Sequence, residues 1–183
     1  MKIAFVGSAG TGRDIVARDV ASRLKLKCLP NITQKILTEE GFFGNDRTIT
    51  VEKFLAQNGR QQRLLSQKIN LELLEDGFIV PRSTVDLAVY YLIEQHDMVD
   101  ISVVCGYIER CRKHMEIYSH VFFFPRSPLE KIENNGIRTM NPWYQFIIHS
   151  IAKTLLDEWK VPYYEVNGED RESKVEVVLS RLK

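Results

Sequence analysis

The chain has 183 residues, of which 44% are hydrophobic and 27% charged, and its formal net charge is +1. That length suits one domain with its own core, and the charge balance excludes a surface given over wholesale to nucleic acid, which needs concentrated Lys and Arg. Cys28, Cys105 and Cys111 contain no CxxC pair, which excludes a disulfide frame or a recognisable zinc site. No run approaches the ~20 apolar residues of a membrane span, so a cytoplasmic protein with no membrane partner is expected.

The first element is the apolar run KIAFV (2–6), a strand buried on both faces. It leads into Gly7-Ser8-Ala9-Gly10-Thr11-Gly12-Arg13-Asp14, which carries G-x-x-x-x-G at its glycines, after a strand and before a helix. Small residues let backbone N–H groups turn inward around a phosphate, and a helix N-terminus adds favourable partial charge. Lysine and a Ser/Thr hydroxyl usually close such a loop. Here Arg13 keeps the positive charge in a bulkier, planar form, and Asp14 offers a hard oxygen ligand suited to Mg²⁺. The bland alternative is a ligand-free glycine turn.

Helix spacing follows from residue 13, with Ile15, Val16, Val20 and Leu24 as one buried stripe. Strands are expected at 27–30, 77–81, 120–124 and 162–166, and helices over 51–75, 83–95, 101–117, 141–159 and 170–182. Ser83 is placed to cap the helix that follows it. Alternation of strands and helices implies a parallel sheet covered on both faces. The irregular segment PRSPLEKIENNGIRTMNP, approximately 125–142, reads as a lid.

Other side chains divide between chemistry and structure. Arg82 and Asp86 can position an acceptor, or form an i,i+4 ion pair at a helix start. Arg126 and Arg138 flank or lie in the lid, where an arginine closing over phosphates stabilises transferring charge. Arg60, Gln61, Gln62, Arg63 and Lys68 can form a polar face toward an acceptor or nucleic acid, although a solvated helix face is the commoner outcome of such a pattern. Cys105, Cys111, His114 and His120 match no metal spacing. Tyr90, Tyr91, Trp143, Tyr144, Tyr163 and Tyr164 can stack on a base, although periodic aromatics more often fill a core.

Over nearly its whole length the sequence resembles the P-loop nucleoside and nucleotide kinases, closest to the small AAA-type kinases of bacteriophages and of ribosylnicotinamide-kinase domains. The resemblance rests on the loop at 7–14, CLPNITQKILTEEGF (28–42), GFIVPRSTVDLAVYY (77–91), YSHVFFFPRSPLEKIENNGIRT (118–139) and VPYYEV (161–166). It implies an α/β fold, a single P-loop kinase-like domain over 1–183 with a five-stranded parallel sheet, helices on both faces and a lid. It also implies ATP with Mg²⁺ and phosphoryl transfer to a nucleoside or nucleotide acceptor. Gly7, Ser8, Ala9, Gly10, Thr11, Gly12, Arg13, Asp14 and Arg126 would bind the nucleotide, and Asp14 the metal. Arg13, Arg82, Asp86 and Arg138 would carry catalysis, while Asp86, Asp46 or the phosphate itself would serve as base. Departures stand at Pro81, Asn31 and Gln34, where the family carries acidic, Glu and Arg residues. They leave two alternatives open: a 5-hydroxymethyluracil DNA kinase, whose partner is duplex DNA, and a nucleotide-binding or interaction protein without catalysis. A homodimer is compatible with either.

Overall fold

A computed structural model describes residues 1–33, 51–126 and 141–182. Five parallel strands form one sheet: β1 (Lys2–Gly7), β2 (Lys27–Cys28), β3 (Phe78–Val80), β4 (His120–Phe124) and β5 (Tyr164–Glu165). Their order is β2-β3-β1-β4-β5, which makes β1 the central strand. Ile3 pairs with Ile79 on one side and with His120 on the other, and the ladder with β4 ends at Gly7 opposite Phe124.

Among the described residues six α-helices are complete: α1 (Arg13–Leu24), α2 (Val51–Leu73), α3 (Thr84–Gln95), α4 (Ile101–His114), α5 (Pro142–Glu158) and α6 (Arg171–Ser180). A 3₁₀ turn at Met115–Ile117 extends α4. All five expected strands and all six expected helices are present, shortened by a residue or two at most ends.

Period-two alternation splits the strands between two cores. Ala4, Val6, Phe78, Val80, Val121 and Phe123 pack with residues of α3 and α5. Ile3, Phe5, Ile79, Phe122 and Phe124 pack on the other face with residues of α1 and α6. Each of these side chains other than Ala4 contributes roughly 1.5–3 kcal/mol by leaving water, which is why the runs IAFV and VFFF contain no polar residue. A third cluster joins α2, α3 and α4, where the Tyr91 and Tyr107 rings stack with centroids 3.8 Å apart.

Two patterns depart from expectation. Ile15 is 42% exposed, because the stripe of α1 runs through Val16, Ala17, Val20 and Ala21 instead. On α2, Gln61 and Lys68 are buried rather than solvated, whereas Arg63 is exposed. The half of α2 that carries them packs against α3 and α4, which bury Gln61 and Lys68 and leave a solvent face through Arg63, Gln67 and Asn70.

Candidate phosphate-binding site

The glycine loop lies at the C-terminal end of β1, beside the crevice where neighbouring connections leave the sheet in opposite directions. Open parallel sheets bind ligands at such places. Gly7 has φ +145°, and a Cβ there would sit 2.4 Å from the Phe124 carbonyl oxygen, so β4 leaves no room for a side chain. Gly10 and Gly12 have φ of +81° and +82°. Space around Gly12 is open, so its requirement is conformational alone. Thr11 Oγ1 donates to the Ser8 carbonyl (3.2 Å), and Lys174 Nζ reaches the Thr11 carbonyl from α6 (3.2 Å).

Two features of this loop suit an anion. Among the described residues no side chain caps the first turn of α1, so its N–H groups and partial positive charge face the loop. Ser8 Oγ is buried and has no hydrogen-bond partner among the described residues, and a buried polar atom of that kind calls for one.

Arg13 turns inward. Its Nη1 donates to Asp86 Oδ1 at 2.6 Å and its Nη2 to the Ser8 carbonyl at 3.3 Å. Both members of this ion pair are almost fully buried, at 4% and 2% exposure. Asp86 Oδ1 also accepts the Gly7 N–H (3.2 Å), while Oδ2 accepts the Ser83 N–H (2.9 Å) and hydroxyl (3.3 Å). Ser83 and Asp86 thereby form the capping box of α3. One carboxylate therefore ties together the end of β1, the loop arginine and the start of α3. Arg82 is not its ion-pair partner.

Arg82 is partly buried, with its guanidinium 5.6 Å from the centre of the Tyr90 ring. Burial opposes its charge, but Tyr90, Asp86 and Asp14 outweigh that and raise its pKa. Asp14 is exposed and makes no hydrogen bond or ion pair among the described residues; it acts on Arg82 through its charge. Its carboxylate is thus available to a hydrated Mg²⁺, whereas that of Asp86 is fully engaged. Among the described residues no three His, Cys, Asp or Glu side chains converge as a metal site.

Arg126 is exposed two residues beyond β4, and its charge reaches His149. Burial, then Lys153 and Arg126, hold the His149 ring below its usual pKa. Trp143 is 71% exposed beside Phe146, while Tyr144 is half-buried near Tyr90. Gln34, Asp46, Arg138 and the lid between residues 127 and 140 lie outside the described residues.

A polar cluster centred on Glu72, which the sequence alone did not single out, joins Lys68 of α2 to His114 and Tyr118. Glu72 Oε2 is 2.7 Å from His114 Nε2 and accepts the Tyr118 hydroxyl at 2.6 Å, while Oε1 accepts Lys68 Nζ. Burial alone would raise the Glu72 pKa, but the Lys68 charge and these hydrogen bonds lower it overall. The i,i+4 spacing of Lys68 and Glu72 was the available signal.

No helix among the described residues is long and apolar enough to cross a membrane. No curated protein matches the sequence. Solved structures match the fold. A deoxyadenosine kinase from M. mycoides, with the products dCMP and dCDP, aligns at TM-score 0.72 and 16% identity over 100% of this chain and 98% of that one. A NadR protein in complex with NR aligns at TM-score 0.72 and 13% identity over 98% of this chain and 50% of that one. Thymidylate kinase from Ehrlichia chaffeensis aligns at TM-score 0.60 and 11% identity, over 100% and 98% of the two chains. The fold is that of the P-loop nucleoside kinases, and the AAA domain family matches residues 2–174. The chain belongs to the AAA domain family.

Proposed function

We propose that this protein transfers the γ-phosphoryl group of ATP to a nucleoside or nucleotide acceptor. The observation that carries the reading is the glycine loop at the end of the central strand, where, among the described residues, no side chain caps the helix N-terminus and the buried Ser8 hydroxyl has no partner. Loop amides from Ser8 to Asp14 would hold the phosphates. Arg13 spends two of its five N–H donors on Asp86 and Ser8, so further donors remain for a phosphate oxygen without breaking the ion pair. Mg²⁺ held by Asp14 would offset phosphate charge. Arg82, facing Asp14 and Asp86, would orient the acceptor, and Arg126 and Arg138 would add charge from the lid side, as phosphoryl transfer depends on positioning and charge stabilisation. The kinase structures that share this fold support phosphoryl transfer as the reaction class.

A second reading draws on the Arg13–Asp86 pair. A loop cation neutralised by a buried carboxylate also suits a protein that binds nucleotide without turnover. Thermal shift with ATP·Mg²⁺, followed by transfer of γ-label to nucleosides, nucleoside monophosphates and hydroxymethyluracil-containing duplex DNA, separates the two. Stabilisation with labelled product supports the kinase; stabilisation without product supports the binding protein; no stabilisation refutes both.

A further inference from the structure

We propose that Lys68 is a positioning residue for the phosphate loop, acting on Arg13 through the Arg82–Ser83 peptide and Asp86. This rests on the phosphate-binding reading of that loop and adds to it a residue that never touches the nucleotide. The peptide between Arg82 and Ser83 is held at both of its polar atoms. Lys68 Nζ donates to the Arg82 carbonyl at 2.5 Å, while the Ser83 N–H donates to Asp86 Oδ2 at 2.9 Å. The contacts continue in both directions. Lys68 pairs with Glu72, which His114 and Tyr118 hold, and Asp86 Oδ1 receives Arg13 and the Gly7 N–H.

Glu72, Lys68, Asp86 and Arg13 alternate in sign along this path, with one neutral peptide between the two ion pairs. All four side chains are buried, so water screens their charges little. A cation on the Arg82 carbonyl polarises the peptide and strengthens its N–H as a donor to Asp86. That bond fixes which way the carboxylate faces, and hence where Oδ1 meets Arg13. Without Lys68 the carbonyl loses its charged donor, a loss that the peptide relieves by turning. Asp86 then has no fixed partner on Oδ2, and Arg13 no firm anchor to aim its remaining donors at a phosphate.

Two observations set this role apart from packing and from contact with a ligand. A buried ion pair is weak ground for stability, since apolar residues of similar volume often serve as well or better. What a lysine adds at this place is a charged donor for a turn that has to stay put. The cavity beside Lys68 and Glu72 has a volume of about 10 Å³, room for one water. The pair therefore reaches the site through hydrogen bonds and not by touching substrate.

The test is a mutant cycle in the full chain, read as ATP·Mg²⁺ affinity by calorimetry. Lys68→Met, which keeps the aliphatic stem, weakens ATP roughly threefold to tenfold. In a background where the inner pair is replaced together, Arg13→Met with Asp86→Asn, the same change shifts ATP affinity by less than about twofold, because the route to the loop is gone. Equal losses in both backgrounds mark a merely structural role and overturn the proposal, as does Lys68→Met without effect in the wild type. If the background binds ATP too weakly to measure, amide exchange of the ATP-free chain decides. Lys68→Met then speeds exchange at both Ser83 and Gly7 by at least about fivefold, whereas faster exchange at Ser83 alone, or at neither, overturns the relay. Where Lys68→Met does not fold, Lys68→Met with Glu72→Gln takes its place, since it removes both charges and strands neither; if that protein also fails to fold, the role is structural and the proposal falls. Wild-type protein that never binds ATP sinks the phosphate-binding reading itself, and this proposal with it.

Discussion

The two ends of α1 carry arginine–carboxylate pairs of opposite kinds. At the N-terminus Arg13 meets Asp86 in a nearly dry setting, 2.6 Å apart with 4% and 2% exposure. At the C-terminus Arg23 bridges Glu172 and Glu176 of α6 at the same 2.6 Å, but the side chains are 42% to 64% exposed. Distances match and consequences do not. Water and ions screen the outer pairs, which leaves little net stabilisation. The inner pair has lost its water, so neither partner tolerates the other's removal, and its carboxylate also serves Gly7 and the α3 cap.

The strongest way to break that contrast is Asp86→Ala. It strands the buried guanidinium and unsatisfies the Gly7 N–H, so urea denaturation should reveal a loss of about 3–5 kcal/mol. A loss below about 1 kcal/mol, typical of exposed pairs, would contradict the contrast. Gly7→Ala comes next. It forces a side chain against the Phe124 carbonyl at positive φ, and should destabilise by roughly 1–3 kcal/mol in the same assay.

Arg13→Lys probes function rather than stability. A slimmer cation reaches both Asp86 and a phosphate oxygen, so ATP affinity should hold or rise, by up to about tenfold in calorimetry. No change of any kind would count against contact between residue 13 and phosphate.

Glu72 sharpens the contrast through pH. Its folded pKa lies below the ordinary carboxyl value because Lys68, His114 and Tyr118 outweigh its burial. The stability it contributes is fully present above the unfolded value, about 4.3, and is lost as pH falls through the folded one. Denaturation curves collected from pH 7 to pH 3 should therefore fall more steeply for the wild type than for Glu72→Gln. Smallest of all is Arg23→Ala: differential scanning should find its melting temperature unmoved, and equally insensitive to added salt.

How far these features could be read from sequence depends on the range of each interaction. IAFV, VFFF and the glycines at 7, 10 and 12 announce themselves locally, because periodicity and backbone freedom belong to a few neighbouring residues. Ser83 likewise sits next to the helix it caps. Arg13 and Asp86 are 73 residues apart, and Asp86 looked in sequence like a partner for Arg82 four positions away. Only the approach of β1 to the start of α3 gives it to Arg13. Lys68 looked like part of a wet helix face, since the groups that surround its partner Glu72 are His114 and Tyr118, 42 and 46 positions further on.

Isothermal titration of the wild-type chain with ATP·Mg²⁺ shows whether the loop receives a triphosphate while Asp86 holds Arg13. One saturable site per chain is expected, with heat that disappears when inorganic triphosphate is added first in excess. A flat titration from a folded sample, for ATP and GTP alike, would contradict it.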